Sequence, residues 1–365
     1  MQLNQTRVTE YLASQFAKAN TDVGFQAPIE IRQFKFGQSN PTYFVRDANG
    51  NRFVLRKKPP GSLLSKTAHA VEREYRVISA LGKHSNVPVP RAYFLCEDTA
   101  VVGTPFYLME FLQGRIFGDN ALPELQTLAD RANYDALMDT LAKLHSANVA
   151  QLGLSDYSRN PTGFYSRQIA TLTAVTKQQY ASNPEKVPAI PRLDDMLAWF
   201  KRNMVPDEPA TIVHGDFKLD NVIYHPTEPR IIGILDWELS TLGHPLSDLA
   251  NCLLPWYTPT AFDGTLPGAH GFKDADRPLH VPEVTVLIKE YCKRAERKYP
   301  IEKFEFCIAF SFFRALVIVQ GVQARAARKQ ASSGNAIQID DSMMRVVAQL
   351  VLNYVDNGDL VSSKL

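Results

Sequence analysis

Residues 212–221 read IVHGDFKLDN, and Asp236 follows fifteen positions after Asn221, at the end of the run IIGILD. A short polar stretch between two β-like runs is ordinarily a turn. This one gathers Asp216, Lys218, Asp220 and Asn221, and the next apolar run closes on a further acid. Such a set suits either a solvated surface turn or a site for metal and phosphate. Phosphoryl transfer asks for positioned phosphates, magnesium to offset developing charge, and a group that orients the attacking hydroxyl. Asp216 stands where a loop carboxylate can accept that proton. Asn221 offers a neutral oxygen to magnesium and Asp236 an anionic one, a donor set of the hard kind that magnesium prefers. A hairpin between Asn221 and Asp236 would return the chain and bring both ligands to one spot. Lys218 either bridges to the transferring phosphate or is simply exposed. His214 either takes part in catalysis or is a packed, hydrogen-bonded ring that supports the loop.

Working outward, TYFVRDANGNRFVLR, 42–56, is a hairpin signal: two β-rich runs flank Asn49-Gly50, a pair that readily takes positive φ. TAHAVEREYRVISALGKH, 67–84, has helical spacing, with Val71, Tyr75, Ile78 and Leu81 near one face. VPVPRAYFLCED, 87–98, and PFYLMEFLQG, 105–114, read as two more strands. The first third is therefore β-β-α-β-β. Beyond residue 121 the pattern changes. ALMDTLAKLHSA, 136–147, predicts a helix, 212–240 predicts strand, loop, strand, turn, strand, and helices dominate from about 280. The segment 153–209 holds helical pieces broken by proline pairs, and its packing is not readable from the residues. The expected division is a small β-rich lobe, 1–112, and a larger, mainly helical lobe, 113–365.

The chain has 365 residues, enough for two such lobes, and a net charge of +2, which implies neither a nucleic-acid nor a membrane partner. Its four cysteines show no zinc spacing and no disulfide framework. The amino-terminal residues lack the apolar core of a signal peptide, so the cytoplasm is the default location. The most membrane-like stretch, FCIAFSFFRALVIVQGV, 306–322, is interrupted by Arg314 and predicts a buried core helix.

The pattern HGDxxxxN followed by hydrophobic-Asp-Trp parallels the kinase pattern H-R-D-x-x-x-x-N followed by D-F-G. VHGDFKLDNVIY and GILDWELSTLGHPLSDLA resemble the catalytic loop and magnesium segment of the aminoglycoside phosphotransferase and choline kinase group. The resemblance spans nearly the whole chain. It implies an α+β, protein-kinase-like fold of two lobes, an ATP and Mg2+ cofactor pair, Asp216 as the catalytic residue, Asn221 and Asp236 as metal ligands, and Asp248 as a brace for the catalytic loop. LAKLHS, 141–146, matches the helix that precedes the active site. More narrowly, FVLRKKPPG, HGDFKLDN and GHPLSDLA together look like the kinase-like region fused to some acyl-CoA dehydrogenases and its free-standing bacterial relatives.

In such a fold the small lobe grips the nucleotide. FGQSN, 36–40, sits where a phosphate-covering loop belongs, so Gly37 and Ser39 are candidates for phosphate contact. The kinase pattern then calls for a strand Lys paired with a helix Glu. Here the sequence departs, with Arg56 in the expected register and Lys57 next to it. Strand side chains alternate faces, so a one-residue slip decides between them. Arg56 is favoured, because its guanidinium binds carboxylate and phosphate with fixed geometry. Its expected partner is Glu74, with Glu72 as the fallback. FYLMEFLQG resembles the hinge between lobes, where backbone groups of Glu110 to Leu112 meet the adenine with Met109 behind it.

The acceptor is less legible. Residues 271–330 carry 12 Lys/Arg against 7 Asp/Glu, either as solvated helix faces or as bases that meet an anionic substrate. The narrower resemblance implies a small-molecule hydroxyl acceptor, with a hydroxyacyl-CoA ahead of an aminoglycoside or amino alcohol. Trp237, Trp256 and Tyr257 are the aromatics expected to line the acceptor cleft. A protein kinase is disfavoured by the lack of an A-P-E-like element after Asp236. A non-catalytic nucleotide-binding pseudokinase has Arg56 as its only support.

Overall fold

A computed structural model describes residues 3–19, 22–34, 40–59, 70–260, 270–274, 276, 278, 280–327 and 341–358. The elements follow in chain order: α1 (Gln5–Ala19), β1 (Glu30–Gln33), β2 (Thr42–Arg46), β3 (Arg52–Lys57), α2 (Val71–His84), β4 (Ala92–Cys96), α3 (Thr99–Val102) and β5 (Phe106–Glu110). Then come α4 (Ala132–Ser146), α5 (Phe164–Ser182), α6 (Leu193–Asn203), β6 (Thr211–Val213), β7 (Val222–Tyr224), β8 (Ile231–Ile234) and β9 (Thr241–Gly243). Among the described residues four helices follow: α7 (Leu246–Tyr257), α8 (Val284–Arg294), α9 (Phe304–Ala327) and α10 (Asp341–Asp356). They form two compact units. The first comprises Met1–Arg115, Ala150–Ser155 and Val222–Ser240, and the second Ile116–Val149, Asp156–Asn221 and Thr241–Leu365.

The first unit is built on an antiparallel sheet of order β1-β2-β3-β5-β4. Along β3 the residues alternate. Phe53, Leu55 and Lys57 face one way, Val54 and Arg56 the other, as strand geometry requires. The first face is covered by α1, whose Val8, Leu12 and Phe16 recur every four residues and form one stripe. These join Phe53, Leu55, Phe106 and Leu108 in a buried core, with the Phe16 ring 4.7 Å from Phe94 and 5.2 Å from Phe53. Each such side chain, fully buried, contributes about 1.5–3 kcal/mol. The opposite face carries α2 and the charged cluster described below.

The β-β-α-β-β reading of the first third holds for β2, β3, α2, β4 and β5, and α1, β1 and α3 are added to it. The edge strand β1, EIRQ, was not anticipated, because it has a single apolar residue and is half-exposed, so it reads as loop. In the β2–β3 turn only Gly50 takes positive φ, at 85°, and Asn49 does not. The turn is instead held by Asp47, whose Oδ1 accepts the Asn51 N–H at 2.7 Å. The expected hairpin after Asn221 forms as β7–β8, with Val222 opposite Ile234, two residues before Asp236.

The second unit is helical around α9. By length and composition α9 is long and apolar enough to cross a membrane, but most of it is buried. It packs on α5, α7 and α10 as a core helix. Segment 153–209 supplies α5 and α6. The short ribbon β6–β9, with Ile212 opposite Leu242, holds the start of the loop 214–221 against the unit.

Among the described glycines of the first unit, Gly114 has the tightest surroundings. A Cβ there would lie 2.1 Å from the Tyr224 carbonyl oxygen and 2.5 Å from Ile223 Cγ2. Beside it, Arg115 and Tyr224 exchange N–H to carbonyl bonds. Gly114→Ala should therefore lower stability by about 1–3 kcal/mol, the usual cost of overpacking. A urea denaturation midpoint equal to that of the parent chain would contradict this placement.

Candidate active site

In the second unit the loop 214–221 is organised by one buried carboxylate. Asp248, in the first turn of α7, accepts the N–H of His214 at 2.6 Å through Oδ2 and that of Gly215 at 2.8 Å through Oδ1. His145 at the end of α4 adds a contact from Nε2 at 3.4 Å, and its Nδ1 lies 2.8 Å from the Tyr291 hydroxyl. Burial works to raise the Asp248 pKa, but the His145 hydrogen bond and charge, with the Gly215 N–H, hold it below the ordinary carboxylate value. Gly215 takes φ of 86°, a conformation that favours glycine and lets the chain turn into the loop.

The rest of the loop is then placed. His214 is fully buried, and its Nδ1 accepts the Asp216 N–H at 3.2 Å, so the ring braces the backbone. Asn221 donates from Nδ2 to the main-chain and carboxylate oxygens of Asp216, both at 2.9 Å. That commitment turns its amide oxygen away from Asp216. Lys218 Nζ lies 3.2 Å from Asp220 and 3.6 Å from Asp216. Partial burial opposes its charge, yet the two carboxylates hold its pKa above the ordinary lysine value. Asp216, Lys218 and Asp220 line a cavity of about 520 Å³ whose other walls include Tyr134, Trp256 and Phe312.

In the first unit, Arg56 lies on the α2 side of the sheet. Its Nε is 2.8 Å from Glu74 Oε2, and one terminal nitrogen donates to Asp236 Oδ1 at 2.5 Å. Glu238 lies 3.7 Å from the same nitrogen. Glu74 also accepts from Asn40 Nδ2 at 2.6 Å and from the Tyr107 hydroxyl at 3.0 Å. Burial pushes the Glu74 carboxyl up to about 7, against the pull of Arg56. Asp236 holds φ of 62°, a left-handed conformation that costs a non-glycine residue of order 1–3 kcal/mol and tends to mark functional positions.

The register question is thereby answered for the protein itself: Arg56, not Lys57, meets Glu74. Lys57 is not a surface residue either. It is buried on the α1 face, donating to the Val102 carbonyl at 2.8 Å, and burial lowers its pKa. The fallback Glu72 is paired with Lys58 at 2.8 Å. Met109 is buried in β5. The N–H of Glu110 is taken by the Arg91 carbonyl at 2.8 Å and that of Phe111 by Arg52 at 3.4 Å, so neither serves a base edge here. Leu112 follows them and packs close against Gly233. Gly37 and Ser39 lie outside the described residues. Of the three expected aromatics, Trp256 lines the cavity and Tyr257 is not among its lining residues. Trp237 is a core residue of the first unit, its indole N–H donating to Ile234 at 3.0 Å. In the basic run 291–298, Arg294 pairs with Glu290 and Arg297 with Glu208, both pairs part-buried, so these two bases are engaged within the protein.

Two residues of the Glu74 cluster, Asn40 and Tyr107, were missed in the sequence. Tyr107 stands directly opposite Arg56 in the β3–β5 register, a signal that appears only once strand pairing is known. Asn40 was read only as the last residue of the loop FGQSN, with no sign of a bond to Glu74.

The sequence matches the model of the phosphotransferase enzyme family over residues 30–278. The chain belongs to that family. Among curated proteins it is 40% identical over 339 residues to acyl-CoA dehydrogenase family member 10 of Mus musculus, covering 93% of this chain and 30% of that protein. It is 39% identical over 336 residues to the probable acyl-CoA dehydrogenase IBR3 of Arabidopsis thaliana, covering 90% and 40%. The chain thus spans well under half the length of these relatives. A solved structure from Ralstonia eutropha, provisionally assigned as an aminoglycoside phosphotransferase, is 34% identical with a TM-score of 0.78, covering 98% of this chain and 99% of that one. The GDP complex of aminoglycoside 2'-phosphotransferase-IIIa shares the kinase-like fold, at 16% identity, a TM-score of 0.58 and coverage of 97% and 99%. The phosphotransferase family and the kinase-like fold are those that the resemblance stated from the sequence implies.

For this phosphotransferase, Arg56→Ala is expected to raise the apparent ATP requirement and lower turnover. Lys57→Met should leave nucleotide affinity near that of the parent and reduce stability instead, because it removes a buried cation from a protein acceptor. Nucleotide titration and thermal melting of the two variants decide the point. Weakened nucleotide binding in the Lys57 variant alone would overturn the assignment of Arg56.

Proposed function

We propose that the protein is a small-molecule kinase that transfers the γ-phosphate of ATP, with magnesium, to the hydroxyl of a hydroxyacyl-CoA. The carrying observation is the cavity beside Asp216. At about 520 Å³ it falls in the range of roughly 300–1,000 Å³ that holds a small organic ligand. Among the described residues its only carboxylates are Asp216 and Asp220, and both already face Lys218. A polycationic aminoglycoside would need further acids. The remaining lining is largely apolar, with Tyr134, Leu137, Trp256, Phe312 and Val347, and suits a chain of methylene groups.

In this reading the first unit handles the nucleotide and the second the acceptor. Asp216 accepts the hydroxyl proton and orients the oxygen for attack on the γ-phosphorus, while Asp248 and Asn221 hold Asp216 in place. Lys218 offers positive charge where phosphate charge develops. Arg56, fixed by Glu74, supplies positive charge for the nucleotide phosphates, and reaching them would require the edge now held by Asp236 to be released. An amide oxygen from Asn221 and a carboxylate oxygen from Asp236 are hard donors that fit magnesium. Magnesium, when bound, would offset phosphate charge. The kinship to proteins named as acyl-CoA dehydrogenases supports an acyl-CoA acceptor, since a kinase region joined to such an enzyme gains from sharing its substrates.

ATP consumption measured against hydroxyacyl-CoAs, aminoglycosides and choline tests the reading. Turnover is expected with the thioesters. Asp216→Asn should lower it by roughly 10²–10⁴-fold with nucleotide affinity retained. Asp236→Ala should lower the rate and raise the magnesium requirement together. Turnover of aminoglycosides or choline alone would overturn the acceptor. Nucleotide binding without turnover of any acceptor would instead mean a non-catalytic protein, and a fully active Asp216→Asn would remove the proposed base.

A further inference from the structure

Two helices of the second unit give the cavity a wall whose depth depends on one small residue. From α9 the lining comes from Phe312, Ala315 and Val319, spaced so that they share one face of the helix. From α10 it comes from Met343, Val347 and Leu350, again one face. Ala315 is the smallest side chain of this wall. It is only half-buried, although Phe313, Leu316 and Val317 around it on α9 are buried. Ala315 lines the cavity and keeps part of its surface exposed, so a larger side chain there takes up cavity volume.

We infer that Ala315 sets the length of the apolar chain that the acceptor can carry. The inference rests on the hydroxyacyl reading of the same cavity. The catalytic hydroxyl is anchored at Asp216, so a chain lying in the cavity must end against a wall. On this inference a cavity reduced at the α9 wall excludes methylenes of the chain while the hydroxyl stays held at Asp216. Each methylene moved from water into an apolar cavity is worth roughly fourfold in binding. A bulkier residue at 315 that excludes two or more methylenes should then reduce kcat/KM for long chains by more than tenfold relative to short ones.

The test compares kcat/KM for short-, medium- and long-chain hydroxyacyl-CoAs in the parent, Ala315→Val, Ala315→Leu and Ala315→Phe, with Ile318→Phe as control. Ile318 lies on α9 but is 52% exposed and outside the cavity lining. The long-to-short ratio is expected to fall stepwise from Val to Leu to Phe, by tenfold or more at Phe, and to stay at the parental value in the control. Val347→Ala, which enlarges the same wall from α10, should move the ratio the other way. If the Phe variant fails to fold, the Val and Leu variants and Val347→Ala still decide the matter. A ratio unchanged across the series, or shifted equally by the control, overturns the role of Ala315 while leaving the acceptor class standing. A parent enzyme that turns over no thioester of any length overturns the acceptor reading, and this inference with it.

Discussion

Everything proposed for the second unit depends on the buried carboxylate of Asp248. An ionised acid in a protein interior is costly unless every oxygen is satisfied. Here two backbone N–H groups of the loop 214–221 and the ring of His145 meet that need. The relation works in both directions: the carboxylate is tolerated because the loop donates to it, and the loop holds one conformation because the carboxylate is there. Asn221 then ties the far end of the loop to Asp216. A base whose position is set in this way enters the reaction with little conformational freedom left to lose.

The first unit shows the same economy with opposite charge. Arg56 faces three carboxylates, from Glu74, Asp236 and Glu238, and Glu74 is further bound by Asn40 and Tyr107. A lysine at 56 would present one compact charge. The guanidinium presents two edges, and both are used, the first on Glu74 and the second on Asp236. The unusual residue at this position is therefore matched by its surroundings.

Much of this was legible from residue order. The turn-rich hairpin, the alternation that puts Arg56 opposite Lys57, and the acids at 216 and 236 are local patterns, and local patterns survive in sequence. What was hidden depends on contacts between distant segments. Tyr107 became visible only through its register with Arg56. Trp237 was expected in the acceptor cleft because it follows Asp236, yet its indole is turned into the core, where Ile234 accepts its N–H. The strand β1 was lost because a half-exposed edge strand needs few apolar residues. The basic residues near 294 looked available until their partners at Glu290 and Glu208 were seen.

The apolar cavity is the feature on which the proposed acceptor class rests. It belongs to α4, α7, α9 and α10 together, so no single motif encodes it. The most direct measurement is a crystal structure of the protein with magnesium, a non-hydrolysable ATP analogue and a hydroxyacyl-CoA. The account predicts the acceptor hydroxyl within about 2.6–3.2 Å of the Asp216 carboxylate and the acyl chain running between that loop and the wall formed by α9 and α10. An acceptor bound elsewhere with the cavity empty, or a hydroxyl out of reach of Asp216, would contradict it.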